Sequence, residues 1–328
     1  MTDAVLAVDI GGTKVALAVA DADGNVLASR VFATEEERGA HDVVSRICDG
    51  GRDLLQRSGI DVSGVGVVSP GVVEPHGVRL APNNRGWEEL ALEDEVRRGL
   101  GAPVRADNDV KSATRAEARW GALRGASDGL LVNLGTGLSA GALVGGQVLR
   151  GAHGAALEIA YQVPSGAPVR GYADGAAPLE ELVSGAALAR EATRVLGRPA
   201  HAGHVLSAAH RAPATPEEGE LAALAGAALE ELSRAVANLA VAFDPEVVAL
   251  YGGMLRTPEP LLRSLSSALA ATVPYPPRLV RADFRERATL AGACLLAYEA
   301  AGLPVPDELH LDDVDARHDA APAPARTV

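Results

Sequence analysis

The stretch from Ala4 to Ala20 reads AVLAVDIGGTKVALAVA, and its pattern decides the fold. The apolar run that ends at Ile10 predicts a buried strand, and the run that begins at Lys14 predicts a second one. Gly11-Gly12 joins the two strands as a hairpin turn, where glycine lets the backbone approach a ligand closely.

The residues around this turn are of the types that bind a nucleotide phosphate. Backbone N–H groups at the two glycines can point at an anion, while Thr13 adds a hydroxyl and Lys14 a positive charge. Asp9, at the strand end, is placed to face a cation or its water shell. The alternative interpretation is an ordinary Gly-Gly hairpin beside an acidic residue. A P-loop is excluded, because the G-x-x-x-x-G-K-[ST] spacing is absent and a strand follows.

Length and composition set the class of protein. The chain has 328 residues, enough for two domains, and 3% aromatic residues, so its core must consist mainly of Ala, Val and Leu. Its net charge of −13 argues against a nucleic-acid binder, which needs a basic face. No signal peptide or membrane span is visible, and Cys48 and Cys294 are expected to be buried thiols in a reducing compartment. We therefore expect a cytoplasmic protein.

The pattern of the first hairpin recurs later in the chain. The first part predicts strands at 4–10, 14–20, 26–33 and 64–68 and a helix from about 40 to 58. The second part predicts strands at 129–134, 139–144 and 147–150, with Gly135-Thr136-Gly137 as the turn between the first two. The repetition indicates a duplicated α/β core with two phosphate-facing hairpins. The strand–glycine–strand pattern is common, so alone it leaves the duplication open.

Further elements follow in the second half. Helices are expected at 177–196, 217–243 and 288–301. A short buried strand at 247–250 leads into Gly252-Gly253, another turn that permits close approach. Beyond Gly302 the sequence is rich in Pro, Asp and Ala and is expected to be disordered.

Asp107-Asn108-Asp109 stands between a predicted strand at 103–106 and a predicted helix from about 110 to 121. Such strand-to-helix corners display catalytic groups in α/β proteins. Asp109 could accept a hydroxyl proton while Asn108 orients the substrate. The alternative is a helix N-cap, for which Asp and Asn are preferred, and both roles can coexist in one segment.

Other polar side chains are candidates for binding a polyol. Asn84 lies in the loop Pro82-Asn83-Asn84-Arg85-Gly86-Trp87, where turn chemistry explains Asn and Gly equally well. Glu158 and Glu180 could accept hydrogen bonds from hydroxyls, or they could be solvated surface charges.

Five segments in one order carry a family resemblance. They are DIGGTK (9–14), SPGVVEPHGVRLAPNNRGW (69–87), ADNDVKSATRAE (106–117), NLGTGLSAGALVGGQVLRGAHGAALEIAY (133–161) and PLEELVSGAAL (178–188). Together they resemble the ROK family of bacterial sugar kinases, repressors and relatives, within the actin-like ATPase superfamily. The resemblance covers about residues 4 to 301.

The resemblance implies a duplicated α/β fold of the actin-like ATPase (ribonuclease H-like) type, with two lobes and a central cleft. It implies ATP on the larger lobe and a sugar between the lobes. The expected domains are a small lobe at 1–108, a larger lobe at 109–287, a terminal helix at 288–302 that packs back on the small lobe, and a disordered tail at 303–328.

The resemblance also assigns roles, position by position. Asp9, Gly11, Gly12, Thr13 and Lys14 would form the first phosphate hairpin, and Gly135, Thr136 and Gly137 the second. Gly252 and Gly253 would lie near the adenosine, and Mg²⁺ would accompany ATP near Asp9. Asp109 matches the general base, Asn108, Glu158 and Glu180 match contacts to substrate hydroxyls, and Asn84 lies in the loop that closes on the sugar.

One departure from the family pattern concerns the acceptor. Most glucokinase-like members have Glu-x-Gly-His where this chain has Glu158-Ile159-Ala160-Tyr161, and residues 162–179 contain no cysteine. The family's zinc site is therefore expected to be absent, its loss offset by packing around Tyr161. An altered acceptor is expected, such as an aminosugar like kanosamine or a C7-cyclitol of antibiotic biosynthesis.

These observations favour an ATP-dependent kinase that phosphorylates the primary hydroxyl of a hexose or hexose-like acceptor. A zinc-free glucokinase is the alternative, and a non-catalytic sugar-binding relative is a third possibility. A repressor is disfavoured, because the first hairpin begins at residue 9 and the net charge is wrong for DNA. We expect a homodimer, with no nucleic acid or membrane as partner.

Overall fold

The computed structural model describes residues 3–81 and 86–311, in two compact units. One unit contains the chain up to Trp120 and from Arg287 onward, and the other contains Gly121–Glu286. The expected boundary after residue 108 differs from this division, because the helix that follows residue 108 packs against the last helix of the first unit.

The strands and helices up to the end of that helix are β1 (Ala4–Ile10), β2 (Lys14–Ala20), β3 (Val26–Ala33), α1 (Ala40–Ser58), β4 (Val62–Ser69), β5 (Val72–Glu74), β6 (Gly77–Arg79), α2 (Leu92–Leu100), β7 (Val104–Asn108) and α3 (Asp109–Trp120). The remaining elements are β8 (Gly129–Leu134), β9 (Leu138–Val144), β10 (Gln147–Val148), α4 (Glu180–Val183), α5 (Gly185–Leu196), α6 (Ala202–Ala208), α7 (Pro216–Phe243), β11 (Val247–Tyr251), α8 (Pro258–Thr272), β12 (Arg278–Arg281) and α9 (Ala288–Ala301).

Each unit contains a five-stranded mixed sheet with the same topology. The first sheet has the order β3-β2-β1-β4-β7, and the second has the order β10-β9-β8-β11-β12. In both, the first three strands along the chain pair antiparallel, and the two later strands extend the sheet in parallel. The matching order confirms the duplicated α/β core that the repeated hairpin pattern predicted.

The last helix lies closely against the first sheet. A Cβ built at Gly66 on β4 would lie 2.0 Å from the carbonyl oxygen of Ala293, and one at Gly64 would lie 2.5 Å from the backbone nitrogen of Ala301. Small residues on both elements therefore allow the helix backbone to approach the strand. Helix α9 is buried along almost its whole length, as its predominantly apolar sequence requires.

The predicted helix over 177–196 is two helices in the structure. Ser184 has an extended backbone (φ −70°, ψ 160°), which ends α4 and makes it the N-cap of α5. Its side chain accepts a hydrogen bond from the Ala187 N–H at 3.2 Å, as an N-cap serine does. The sequence pattern alone did not show this break, because apolar spacing continues across it.

Residues 303–311, predicted to be disordered, pack on the first unit, so the prediction of a tail that begins at 303 is wrong. Leu309 and Leu311 are buried, and the His310 N–H donates to the Gly24 carbonyl at 2.9 Å. The Trp120 indole N–H donates to the Pro306 carbonyl at 2.9 Å. Two leucines and these bonds hold a segment whose composition indicated disorder. The rest of the predicted tail, 312–328, lies outside the described residues.

Among the residues that the structure describes, none of the helices has the length and apolar character needed to cross a membrane.

Candidate functional site

The first unit brings two of the predicted segments to one edge of its sheet. Strands β1, β4 and β7 run parallel, with Asp9 opposite Val68 and Val68 opposite Asp107. Asp9 and the Asn108-Asp109 pair therefore lie at the same carboxyl edge, about two strand spacings or roughly 10 Å apart. Ligands of open α/β sheets bind outside this edge.

The turn of the β1–β2 hairpin is formed by Gly11, Gly12 and Thr13, and Lys14 follows as the first residue of β2. The Gly11 N–H donates to the Lys14 carbonyl at 2.9 Å, and the Thr34 hydroxyl donates to the Gly11 carbonyl at 2.6 Å. The polar groups of Gly11 thus close the turn. Gly12, Thr13 and Lys14 are exposed.

Gly12 is a glycine that the fold does not require. Its φ lies outside the left-handed region, and a Cβ built on it would have nothing within 4 Å. Gly11 differs, since a Cβ there would lie 2.9 Å from the Lys14 carbonyl oxygen. Space kept open at an exposed hairpin tip suits a ligand that approaches the backbone.

Asp9 is the acidic residue of this hairpin. Burial raises its pKa to about 6, while a hydrogen bond from the Thr289 hydroxyl and the positive charge of Lys14 oppose that rise. The Thr289 bond is 2.6 Å long and links β1 to the first turn of α9. A half-buried carboxylate whose charge the protein compensates only in part fits Mg²⁺, which prefers such oxygen ligands.

The Asn108-Asp109 corner contains the helix cap that was the alternative interpretation. Asn108 is buried, and its Oδ1 accepts the Lys111 N–H at 3.0 Å while its Nδ2 donates to the Gly71 carbonyl at 2.7 Å. Asn108 is therefore the cap of α3. Asp109 begins the helix, is half-buried, and accepts the Val110 N–H through Oδ1 at 2.7 Å.

The second unit has a corresponding hairpin between β8 and β9, with Gly135-Thr136-Gly137 at its turn. The N–H groups of Gly185 and Ala186, at the start of α5, donate to the carbonyls of Gly135 and Thr136 at 2.9 and 3.1 Å. A Cβ built at Gly137 would lie 2.8 Å from Glu180 Oε2. This hairpin is thus anchored by α5, and Thr136 at its tip is exposed.

Gly252-Gly253 lies beside that hairpin, because β11 pairs in parallel with β8 and Tyr251 stands opposite Asn133. Gly252 has φ 108°, and a Cβ there would lie 2.5 Å from the Leu134 carbonyl carbon, so the fold requires this glycine. Gly253 is exposed and would have nothing within 4 Å of an added Cβ. It resembles Gly12 in this respect.

The predicted acceptor-binding residues of the second unit lie around the short helical turn at Ile159–Tyr161. Glu180 Oε2 accepts the Leu138 N–H at 2.8 Å, and burial raises the pKa of this carboxyl. Glu158 precedes the turn and follows Leu157, whose φ of 63° is unusual for a leucine. Burial, and then the carboxylates of Glu158 and Glu180, raise the pKa of the Tyr161 phenol.

The placement of Asn84 and the absence of zinc both stay predictions. Asn84 is outside the described residues. Over 3–81 and 86–311, no cluster of three or more His, Cys, Asp or Glu side chains could hold a metal ion, and the absence of zinc stays a prediction.

Sequence reasoning missed Thr289 and Tyr172. Thr289 reaches Asp9 only through the packing of α9, and no local motif marks it. Tyr172 contacts Tyr161, and the scarcity of aromatic residues could have drawn attention to it.

Comparison with known proteins decides the family. The model of the ROK family matches residues 5–300. The chain is 30% identical to the glucokinase of Streptomyces coelicolor over 266 residues, which cover 76% of this chain and 81% of that protein. It is 29% identical to the glucokinase of Thermotoga maritima over 280 residues, which cover 80% and 85%.

The chain belongs to the ROK family. A solved ROK glucokinase from Streptomyces griseus, in complex with glucose and AMPPNP, matches it with a TM-score of 0.75 at 28% identity, covering 90% of this chain and 99% of that one. The two repeated sheets are thus the duplicated actin-like ATPase fold of ROK proteins, as the sequence resemblance implied.

Proposed function

We propose that this ROK protein is an ATP-dependent kinase that phosphorylates the primary hydroxyl of a hexose or hexose-like acceptor. The observation that carries the proposal is the parallel pairing of β1, β4 and β7, which brings the Asp9 hairpin and Asp109 to one sheet edge. Glucokinases among its relatives support the same activity, and the ROK glucokinase bound to AMPPNP supports ATP as the donor.

In this proposal Asp109 is the general base. The acceptor hydroxyl oxygen attacks the γ-phosphorus, the bond between that phosphorus and the ADP oxygen breaks, and the hydroxyl proton passes to the Asp109 carboxylate. Asp109 suits this role because it is half-buried at the start of α3, whereas Asn108 caps the helix. A positioned base at a strand-to-helix corner aligns the attacking hydroxyl.

The phosphates of ATP would be bound by backbone N–H groups, a few polar side chains and a metal ion, and not by a large basic surface. Thr13 and Lys14 are exposed at one hairpin tip and Thr136 at the other, and Gly12 and Gly253 leave room for close approach. Asp9 would hold Mg²⁺ or its water shell, and the ion supplies neutralisation of phosphate charge. Gly252-Gly253 would lie near the adenosine.

The acceptor is proposed to be a specialised one, an aminosugar such as kanosamine or a C7-cyclitol. Tyr161 stands where most glucokinase-like members have a histidine, and it is half-buried near the carboxylates of Glu158 and Glu180. A phenol differs from an imidazole in size and in its hydrogen-bonding groups. Asn84, Asn108, Glu158 and Glu180 complete the proposed set of substrate contacts. A zinc-free glucokinase is the second candidate, supported by the glucokinase relatives.

The test is a coupled ADP-release assay with Mg-ATP and a panel of acceptors: glucose, mannose, N-acetylglucosamine, N-acetylmannosamine, kanosamine and valienol-type cyclitols. Preference for kanosamine or a cyclitol supports the specialised kinase, and preference for glucose supports the zinc-free glucokinase. Failure to release ADP with any acceptor contradicts kinase activity and favours a non-catalytic sugar-binding protein.

Three further expectations are part of the proposal. We propose a homodimer in the cytoplasm that binds no nucleic acid. Both cysteines are buried and free, and burial raises the pKa of Cys294 to about 12, which suits a reducing compartment. Light scattering tests the dimer, and a gel shift on promoter DNA at physiological salt tests the absence of DNA binding.

A further inference from the structure

The two ends of the loop that follows Tyr161 are joined by a backbone hydrogen bond. The loop runs from 162 to 179 and contains three prolines and three glycines. At its base the Leu179 N–H donates to the Ala160 carbonyl at 3.1 Å, which ties the end of the loop to the turn that carries Tyr161.

Tyr172 returns from this loop to Tyr161. The two ring centroids are 5.9 Å apart and the ring planes meet at 81°, an edge-to-face contact. The turn that carries Tyr172 is held locally, because the Gly171 N–H donates to Asp174 Oδ2 at 2.9 Å and the Ala176 N–H donates to the Gly171 carbonyl at 3.1 Å.

The Tyr172 ring is an exposed aromatic group in a chain that has few aromatic residues. Only five of the 328 residues are tyrosines, and two of them meet here. Although its ring packs against that of Tyr161, Tyr172 is 65% exposed. Tyr172 is exposed to solvent on a turn that is held by hydrogen bonds, and it lies beside the candidate substrate residue Tyr161. Its ring is therefore placed to contact a ligand.

The geometry points to Tyr172 as a second specificity residue. Its aromatic ring and that of Tyr161 would both contact the C–H face of the acceptor ring. This inference rests on the proposed function and deepens it by naming the recognised feature. The two rings meet at a right angle and offer an apolar corner to the C–H face of a cyclic polyol. The carboxylates of Glu158 and Glu180 near Tyr161 remain the partners for hydroxyl groups.

Steady-state kinetics of Tyr172→Ala tests the inference, with the best acceptor of the panel and with glucose. Loss of an aromatic contact is expected to raise the acceptor KM roughly tenfold, while kcat and the KM for ATP change less than twofold. Tyr172→Phe keeps the ring and is expected to behave as wild type. Tyr275→Ala is the matched control, because Tyr275 is 78% exposed elsewhere in the same unit.

An unchanged acceptor KM in Tyr172→Ala, with wild type active, overturns the inference and leaves the kinase proposal intact. A lowered melting temperature with a fall in kcat and no change in acceptor KM shows a purely structural role and also overturns it. Absence of phosphorylation by wild type on every acceptor removes both proposals together.

Discussion

Asp109, half-buried at the start of α3, is the residue that we propose as the general base. An amide in its place cannot accept the hydroxyl proton, so Asp109→Asn is expected to lower kcat by at least ~10²-fold. The KM for ATP should change little, because the two hairpins proposed to bind the phosphates are separate segments. Stopped assays of ADP formation with saturating substrates measure the effect.

Asp94→Asn is the matched control for Asp109→Asn. It makes the same chemical change in the first turn of α2, where Asp94 is exposed and paired with Arg97. This variant should retain wild-type kcat. Near-normal turnover in Asp109→Asn would show that another group accepts the proton.

The hydrogen bond between Thr289 and Asp9 predicts how kcat/KM depends on pH. The pKa of Asp9 is raised from 3.8 to about 6, so the carboxylate form needed beside a cation is lost as the pH falls through about 6. Thr289→Val removes a hydrogen bond that favours this carboxylate, which raises the pKa of Asp9 further. The acidic limb of kcat/KM should therefore move to higher pH, with a several-fold loss at pH 6 and little loss at pH 8.

The control for this prediction is Thr289→Ser, which keeps the hydroxyl and should keep the wild-type profile. As the pH falls through about 6, the contribution of Asp9 to folding stability should become more favourable while activity declines. Because the folded state binds this proton more tightly than the unfolded chain, the unfavourable contribution of Asp9 is present above pH 6 and is relieved between about pH 6 and 4. Identical pH profiles for wild type and Thr289→Val would separate Asp9 from catalysis.

At the scale of the element, the first hairpin makes a testable distinction between folding and binding. A methyl group at Gly12 enters open space in the protein, so Gly12→Ala should fold with a melting temperature near that of wild type. In the proposed site the methyl group would meet a phosphate, and kcat/KM for ATP is expected to fall roughly tenfold or more.

Gly226→Ala in the middle of α7 is the control for Gly12→Ala. A Cβ there also meets nothing within 4 Å, and alanine favours a helix by up to ~1 kcal/mol, so stability should rise slightly and the kinetics should not change. A Gly12→Ala enzyme with an unchanged KM for ATP would show that no phosphate approaches this turn.

The same elements show how far sequence reasoning reaches. Strands β1, β2 and β3 and helix α1 have the predicted bounds, because apolar runs, a Gly-Gly turn and helical spacing are local signals. Helix α8 was not predicted at all, and the break at Ser184 was missed, because extended backbone at one serine leaves no trace in the apolar spacing. Composition was misleading for 303–311, where the burial of Leu309 and Leu311 outweighs the effect of the prolines and acidic residues.

The candidate site was predictable only in segments. Gly12, Asp109 and Gly252 stand in recognisable local patterns, so each could be proposed from the chain. The register that aligns Asp9 with Asp107, and the packing that delivers Thr289 to Asp9, are tertiary facts that no single segment contains.

At the scale of the whole molecule, the segment 303–311 should contribute to the stability of the first unit. It buries Leu309 and Leu311, and Arg119 and Trp120 both donate to the Pro306 carbonyl. A chain that ends at Gly302 is expected to lose about 3–5 kcal/mol of unfolding free energy relative to one that ends at Leu311, given two buried leucines. Urea unfolding of the two truncated proteins measures this, and equal midpoints would contradict it.

We propose that this ROK protein transfers the γ-phosphoryl group of ATP to a primary hydroxyl. The most direct measurement is ³¹P NMR of a reaction mixture with Mg-ATP and the best acceptor, recorded with proton coupling. We expect loss of the ATP γ-resonance and a new phosphomonoester signal split by two methylene protons. A signal split by one proton would place the phosphate on a secondary hydroxyl, and phosphate release without any new ester would contradict the kinase assignment.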